Sequence, residues 1–340
     1  MHSHHSHSGD YVAHGVDPLE DIITEVKRRQ FHTWCLTEHM PRLQPSLLYP
    51  EEVRTADEPE KDLARLVTQF ESFLDHAQRI KERESFNILI GMEIEGCNAA
   101  HLEHAKALLS RKSGILQFMV GSVHHVHDIP IDFDQTMWNH AIAKTGNNIK
   151  QLLVDYFTLQ RKMLESVKPL IVGHFDLIRL YMPGDLLVDK TSGKIISEKD
   201  EVVSSKVENV VTISSIDSIM TLWPEVKDLI IGNLQYACSY GAALELNSSG
   251  LRKGLIDPYP HRDIVGLAKK VTPDLKYVMS DDAHAVSQVG VCYDKLLNYM
   301  ENVVKMDKVS YLAEMPNGQL EFKDISLEEL KKAPFWTTFR

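Results

Sequence analysis

Cysteine is scarce in this sequence and never paired. Cys35, Cys97, Cys238 and Cys292 stand far apart with no CxxC spacing, which excludes both a disulfide framework and a thiolate zinc ribbon and points to free thiols in a reducing compartment. Long apolar runs are missing too. None approaches the roughly 18–20 residues of a membrane span, and the N-terminus is polar and histidine-rich where a signal peptide carries an apolar stretch. A cytoplasmic address with no membrane partner is the expectation. Positive charge is in short supply, with 37 Lys and Arg against 48 Asp and Glu and a formal net charge of -11. Such a surface repels polyphosphate chains unless it holds a local basic groove, so nucleic acid is not an expected partner. Neither a GxGxxG fingerprint nor a GxxxxGK[S/T] loop occurs, which weighs against a doubly wound nucleotide-binding sheet.

What is present suits a globular protein: 340 residues, 43% apolar and 25% charged. Length alone suggests about two domains, but single α/β barrels reach about 250 residues before insertions. The chain is read as one elaborated domain over residues 1–340, with a helical insertion at 50–84 and a polar excursion at 185–210. Asp17 and Pro18 open a first helix, with Asp17 as its cap. Short strands are expected at 33–36, 86–92, 117–123, 170–173, 242–246 and 276–280, alternating with helices at 58–83, 99–111, 147–167, 224–240, 260–270 and 285–304. That alternation argues for a parallel sheet, and six or seven legible β/α repeats favour a barrel. Residues 309–315 and 319–322 flank Pro316-Asn317-Gly318 and read as a C-terminal hairpin.

The most informative count is 17 histidines, because imidazole is the commonest transition-metal ligand. Reading the residue at each expected strand end gives His5, His7 and His14, then His39, Glu93, His124 and His174, then Asp282 and His284. They lie in the strings HSHSGDYVAHG, LTEH, GMEIEG, VGSVHH, VGHFD and MSDDAH. The C-terminal strand ends of a β/α barrel converge on one mouth, so donors this far apart in sequence can meet. His5 and His7, two apart on an extended segment, share a face and can grip one ion; Asp282 and His284 repeat the spacing. Imidazoles and carboxylates without thiolate suit zinc, manganese or iron, with Glu93 as the expected bridge between clustered ions. His2, His4, His32, His76, His101, His104, His140 and His261 are read as bystanders, while His125 and His127 stay undecided beside His124.

These strings resemble the motifs of the PHP (polymerase and histidinol phosphatase) metallohydrolases, with coverage from His5 to His284. The long interval between His39 and Glu93, the string LELNSSGLRKGLIDPYP and the C-terminal hairpin are similar to the histidinol-phosphate phosphatase branch in its fungal form. The resemblance implies a distorted, TIM-barrel-like (β/α)7 barrel holding three divalent metal ions. Its reaction is hydrolysis of L-histidinol phosphate to L-histidinol and phosphate in histidine biosynthesis, with a metal-bridging hydroxide as nucleophile. By motif, His5, His7, Glu93 and Asp282 hold one ion, Glu93, His124 and His39 or a neighbour a second, and His14, His39, His174 and His284 the remaining positions. The proton for the leaving group is left between a site water, Asp282 and a nearby histidine such as His284. Glu38 stands where many relatives carry Asp, and Asp281-Asp282 is a doubled acid where Ser-Asp is usual, the register favouring Asp282.

A phosphate dianion calls for a guanidinium fork. Arg252, beside Lys253 in a glycine-flanked loop, is the first candidate, followed by Arg179 after His174 and Arg42 after His39. Asp176 and Glu95 are the candidates for the substrate's amine. Two alternatives stand beside this reading: another PHP phosphoesterase acting on diesters or DNA, and a nonenzymatic metal-binding protein.

Overall fold

The computed structural model describes residues 1–55, 57–196, 209–216 and 218–338. Its framework is a curled nine-stranded sheet of β1 (His2–Ser3), β2 (Thr33–Leu36), β3 (Asn87–Glu95), β4 (Phe118–Ser122), β5 (Ile171–Val172), β6 (Ala243–Asn247), β7 (Lys276–Ser280), β8 (Lys308–Glu314) and β9 (Leu320–Ser326), in that spatial order. Neighbours from β1 to β8 pair in parallel, and β8 and β9 form an antiparallel hairpin. The segment after β1 also reaches the seventh strand. The His4 N–H donates to the Met279 carbonyl at 3.2 Å, the His7 N–H donates to the Ala283 carbonyl at 2.8 Å, and Ser6 bridges Ala283 in parallel. The first seven strands therefore close on themselves as the expected distorted barrel.

Side chains alternate across each strand, and this sorts the sequence into two layers. Trp34, Leu36, Ile88, Ile90, Met92, Leu244, Leu246 and Met279 point outward and join the large core shared with the helices. Their alternates point inward. Cys35, Leu89, Val120, Ile171, Ala243 and Val278 pack with Phe118 and Leu312 into a separate apolar cluster inside the barrel. Two to six residues further along the same strands the inward positions turn polar: Glu93 and Glu95 on β3, Ser122 on β4, Glu245 on β6, and Asp282 just past β7, all buried. The barrel is thus apolar at its floor and ionisable near its mouth. Close approach demands glycine at Gly91, where a Cβ would meet the Phe118 ring at 2.8 Å, and at Gly173, where it would meet Ser122 Oγ at 2.7 Å.

The hairpin closes the floor. Leu312 inserts from β8, its N–H donating to His4 Nε2 at 3.1 Å and its carbonyl accepting from Asn87 Nδ2 at 3.2 Å. His2 stacks on Tyr311 at 4.4 Å between centroids, so His2 and His4 serve this end rather than the mouth.

Tertiary contacts moved several element boundaries. The first helix spans Leu19–Arg28, but the Leu19 N–H is taken by Asp10 Oδ2 at 2.9 Å. The expected cap, Asp17, instead accepts from the Val286 N–H at 2.7 Å. The single helix expected at 285–304 is broken into a 3-10 turn, Val286–Gln288, a short helix, Tyr293–Asn298, and a π turn, Tyr299–Val303. Gly290 at φ 67° and Cys292 at φ 57° interrupt it. A helix at Gln135–Lys144, capped by Asp134 accepting from the Met137 N–H at 2.7 Å, was not anticipated. Within the polar excursion, Leu187–Asp189 pairs antiparallel with Val210–Thr212, and residues 197–208 lie outside the described residues. Among the described residues, no helix is long and apolar enough to cross a membrane.

Candidate metal centre and active site

Glu93 organises the mouth. Its Oε1 lies 2.9 Å from His174 Nε2 and 3.2 Å from His124 Nε2, and accepts from Ser122 Oγ at 2.5 Å. Its Oε2 lies 2.9 Å from His39 Nδ1, 3.2 Å from His5 Nε2 and 3.3 Å from His7 Nε2. Burial works against a charged Glu93, but the surrounding His5, His124 and His39 imidazoles outweigh it and hold the carboxyl well below its ordinary range. Four overlapping donor groups result: His5, His7 and Glu93; Glu93, His124 and His174; His5, His174 and Asp282; and His7, His39 and His284. His14 adjoins the last group, its Nε2 lying 3.0 Å from His284 Nε2. All nine residues expected to be ligands therefore meet, although His174 groups with Glu93 and His124, and His39 with His7.

The donor chemistry suits divalent cations. Metal-binding imidazoles usually have the other ring nitrogen held by a carboxylate or carbonyl, which fixes tautomer and orientation. Here His5 Nδ1 lies 2.9 Å from Glu245 Oε1, His7 Nδ1 3.4 Å from Glu38 Oε2, His124 Nδ1 3.1 Å from Glu95 Oε2, and His284 Nδ1 2.9 Å from the Asp282 carbonyl. Each leaves Nε2 facing inward. The Nε2 atoms of His5 and His7 approach to 3.1 Å and, with Glu93, form one group able to hold an ion. Glu38, longer than the usual Asp, still reaches His7, and its Oε1 accepts from Ser8 Oγ at 2.7 Å.

The doubled acid separates into two environments. Asp282, at φ 50° in a left-handed conformation that Asp tolerates, lines the cavity, with Oδ1 3.6 Å from His7 Nε2. Asp281 faces away, accepting from Ser3 Oγ at 2.7 Å and the Gly290 N–H at 2.5 Å, and burial pushes its carboxyl up to about 7.

A cavity of about 290 Å³ opens above the cluster. Besides the histidines, its lining includes Tyr49, Glu51, Asp132, Phe133, Arg252, Lys253, Asp282 and Gln288. Arg252 reaches it with Nη2 donating to the Asp282 carbonyl at 3.1 Å and a buried Nε that has no partner among the described residues.

The remaining expected substrate contacts do not line this cavity. Arg179 donates from Nε to Asp176 Oδ2 at 2.8 Å and from Nη2 to the carbonyls of Asp257, at 3.1 Å, and Pro258. Asp176 is fully buried in that pairing and also accepts from the His261 N–H at 2.8 Å. Arg42 lies beneath the wall, 3.6 Å from Glu52 Oε2 and from Glu95 Oε2, with its guanidinium 5.1 Å from the Tyr49 ring centroid. Glu95 is committed to His124 and to His125 Nδ1 at 2.9 Å, which gives His125 a supporting place. His127 turns outward to Asp155 at 2.8 Å.

Sequence reasoning missed Glu245 and the wall of Tyr49, Glu51, Asp132, Phe133 and Gln288. The string LEL around Glu245 holds a carboxylate at an inward-facing strand position, a signal that strand alternation alone would have exposed. The wall residues belong to loops and to single 3-10 turns, Glu51 in Pro50–Glu52 and Gln288 in Val286–Gln288, too short for a periodicity to mark them.

With this geometry in hand, a family model described as "PHP domain" matches residues 3–249. The histidinol-phosphatase of Saccharomyces cerevisiae is 44% identical over 344 residues, covering 99% of this chain and 99% of that protein. Among solved structures, one from Listeria monocytogenes is similar at a TM-score of 0.62 and 18% identity, covering 87% of this chain and 99% of that one. The histidinol phosphate phosphatase of Lactococcus lactis, complexed with zinc, L-histidinol and phosphate, is similar at a TM-score of 0.52 and 14% identity, covering 94% and 98%.

Proposed function

The chain belongs to the PHP domain family, and from that membership and its cavity we infer that it is a histidinol-phosphatase, a phosphoric monoester hydrolase of histidine biosynthesis. One observation carries the reading: four overlapping imidazole and carboxylate groups share a cavity with the guanidinium of Arg252 and the ammonium of Lys253. A metal store needs no such cations, whereas a phosphate dianion does.

The thiolate-free donor set supports three divalent ions, of zinc, manganese or iron, held by His5, His7, His14, His39, Glu93, His124, His174, Asp282 and His284. When bound, such ions supply Lewis acidity, which brings the pKa of water down to about 7 and offsets phosphoryl charge. The protein's own groups do the rest. Arg252 and Lys253 orient the phosphate, and Glu245, Glu38 and Glu95 hold the imidazoles in one tautomer. Proton transfer falls to Asp282 and His284, which line the cavity together with Nδ1 3.7 Å from Oδ1.

The test is turnover of L-histidinol phosphate, p-nitrophenyl phosphate and a short DNA by protein purified without chelator, then stripped and reloaded with zinc or manganese. Histidinol phosphate is expected to be preferred, with activity lost on stripping and regained on reloading. Faster cleavage of DNA, or a rate indifferent to stripping, would overturn the inference.

A further inference from the structure

Asp176 and Glu95 are each buried and paired, so neither is open to the substrate's amine. The cavity offers four other carboxylates: Glu51, Glu93, Asp132 and Asp282. Glu93 and Asp282 belong to the metal cluster, and Glu51 Oε1 is engaged 2.9 Å from His14 Nδ1. Asp132 remains. Asp132 lines the cavity, and among the described residues its only hydrogen bond comes from the Tyr49 hydroxyl, which donates to Oδ1 at 2.9 Å and leaves Oδ2 without a partner there.

Its place is built by a short ribbon. Residues His125–Val126 and Ile129–Pro130 pair antiparallel across His127 and Asp128, both at positive φ, 56° and 60°, as a tight two-residue turn requires. The returning strand is fastened by the Ile131 N–H donating to the His124 carbonyl at 2.8 Å, and the next residue is Asp132. The carboxylate is therefore set on a rigid platform directly continuous with a member of the metal cluster.

Tyr49 and Phe133 flank it, their ring centroids 6.1 Å apart and tilted 49°. Tyr49 is immobilised on three sides: its N–H donates to Glu52 Oε2 at 2.9 Å, the Arg42 guanidinium covers one face, and His125 meets it edge-on with centroids 5.2 Å apart. A carboxylate framed by two aromatic rings is the chemistry that receives an ammonium beside a flat heterocycle. The two cationic side chains, Arg252 and Lys253, come from the end of the one-turn helix Ser249–Arg252 after β6, where Lys253 attracts Asp282. The cavity is polarised, with cations over the metal cluster and an anion with aromatics on the 49 and 132–133 side.

We propose that Asp132 is the specificity-determining carboxylate of the cavity. It binds the ammonium of the phosphomonoester while Tyr49 and Phe133 receive its imidazole. The assignment rests on the phosphatase reading above and names the part of the site that tells histidinol phosphate from other monoesters. Loss of a hydrogen bond to a charged group weakens binding by about 10–100-fold.

The experiment compares Asp132→Asn with wild type on L-histidinol phosphate and p-nitrophenyl phosphate, which has a ring and a phosphate but no ammonium. Inhibition by L-histidinol and by inorganic phosphate supplies a second readout. Asparagine keeps the acceptor for Tyr49, and Asp132→Ala, with matched melting temperature, is the second variant. KM for histidinol phosphate and Ki for histidinol should rise about 10–100-fold, while values for p-nitrophenyl phosphate and phosphate stay within about twofold. Equal changes on both substrates, or none on either, would overturn the proposal. A wild-type enzyme with no preference for histidinol phosphate would instead bring down the reading on which it rests.

Discussion

At the scale of single residues, the site divides into groups that contact a ligand and groups that hold those contacts still. The histidines could be found in the sequence because their chemistry is distinctive and each follows an expected strand. Arginine offered no such discrimination. Arg252, Arg179 and Arg42 all follow strands, yet Arg252 lines the cavity, Arg179 is absorbed by Asp176 and backbone carbonyls, and Arg42 lies buried between Glu52 and Glu95. Only the partners available in three dimensions decide between clamp and brace. Glu245 makes the same point from the other side. It is wholly buried, faces His5 at 2.9 Å, and accepts from the His174 N–H at 2.6 Å and Asn247 Nδ2 at 3.0 Å. The His5 imidazole offsets the cost of that burial and holds the Glu245 carboxyl below its ordinary range. Glu245→Gln should preserve shape but weaken His5 as a ligand, reducing metal affinity by about 10–100-fold. Metal content after dialysis against graded chelator would check this; unchanged retention would make Glu245 a packing residue.

At the scale of elements, the strands were the most legible part, since their inward and outward faces are set by a period of two. The 33–36 and 276–280 strands match to the residue, and the others begin or end within a few positions of expectation. Loops and broken helices were not legible, because positive-φ residues such as Gly290 and Cys292, and side-chain capture such as Asp10 at Leu19, act through the tertiary fold. The sequence leaves the hairpin either closing or edging the barrel, and the structure makes it the floor: Leu312 is completely buried among the inward residues of the barrel strands. Leu312→Ala should cost about 2–5 kcal/mol, the range for a buried leucine whose surroundings relax only partly. Urea denaturation of the metal-loaded protein would measure it, with metal content near wild type because no donor belongs to the hairpin. A loss under about 0.5 kcal/mol, typical of surface positions, would mean that the floor packs without it.

At the scale of the whole molecule, the family match ends at residue 249, yet Asp282, His284 and Arg252 enter the cavity from beyond it. The C-terminal part therefore completes the site as well as sealing the barrel, and the sealing governs traffic. With Leu312 and the His4 imidazole stopping the far end, everything that arrives and everything that departs must share one doorway. On the proposed reading phosphate binds against the cluster, behind the alcohol it was cut from, so the reaction would become a queue in which the alcohol leaves first and phosphate last. Free enzyme then meets phosphate and substrate as rivals for the same vacancy. Initial-rate kinetics should show phosphate as a competitive inhibitor and L-histidinol as a noncompetitive one; the reverse pattern would require a second exit. A cell that accumulates phosphate would slow this enzyme at its emptying step, a throttle that comes from the barrel having a floor.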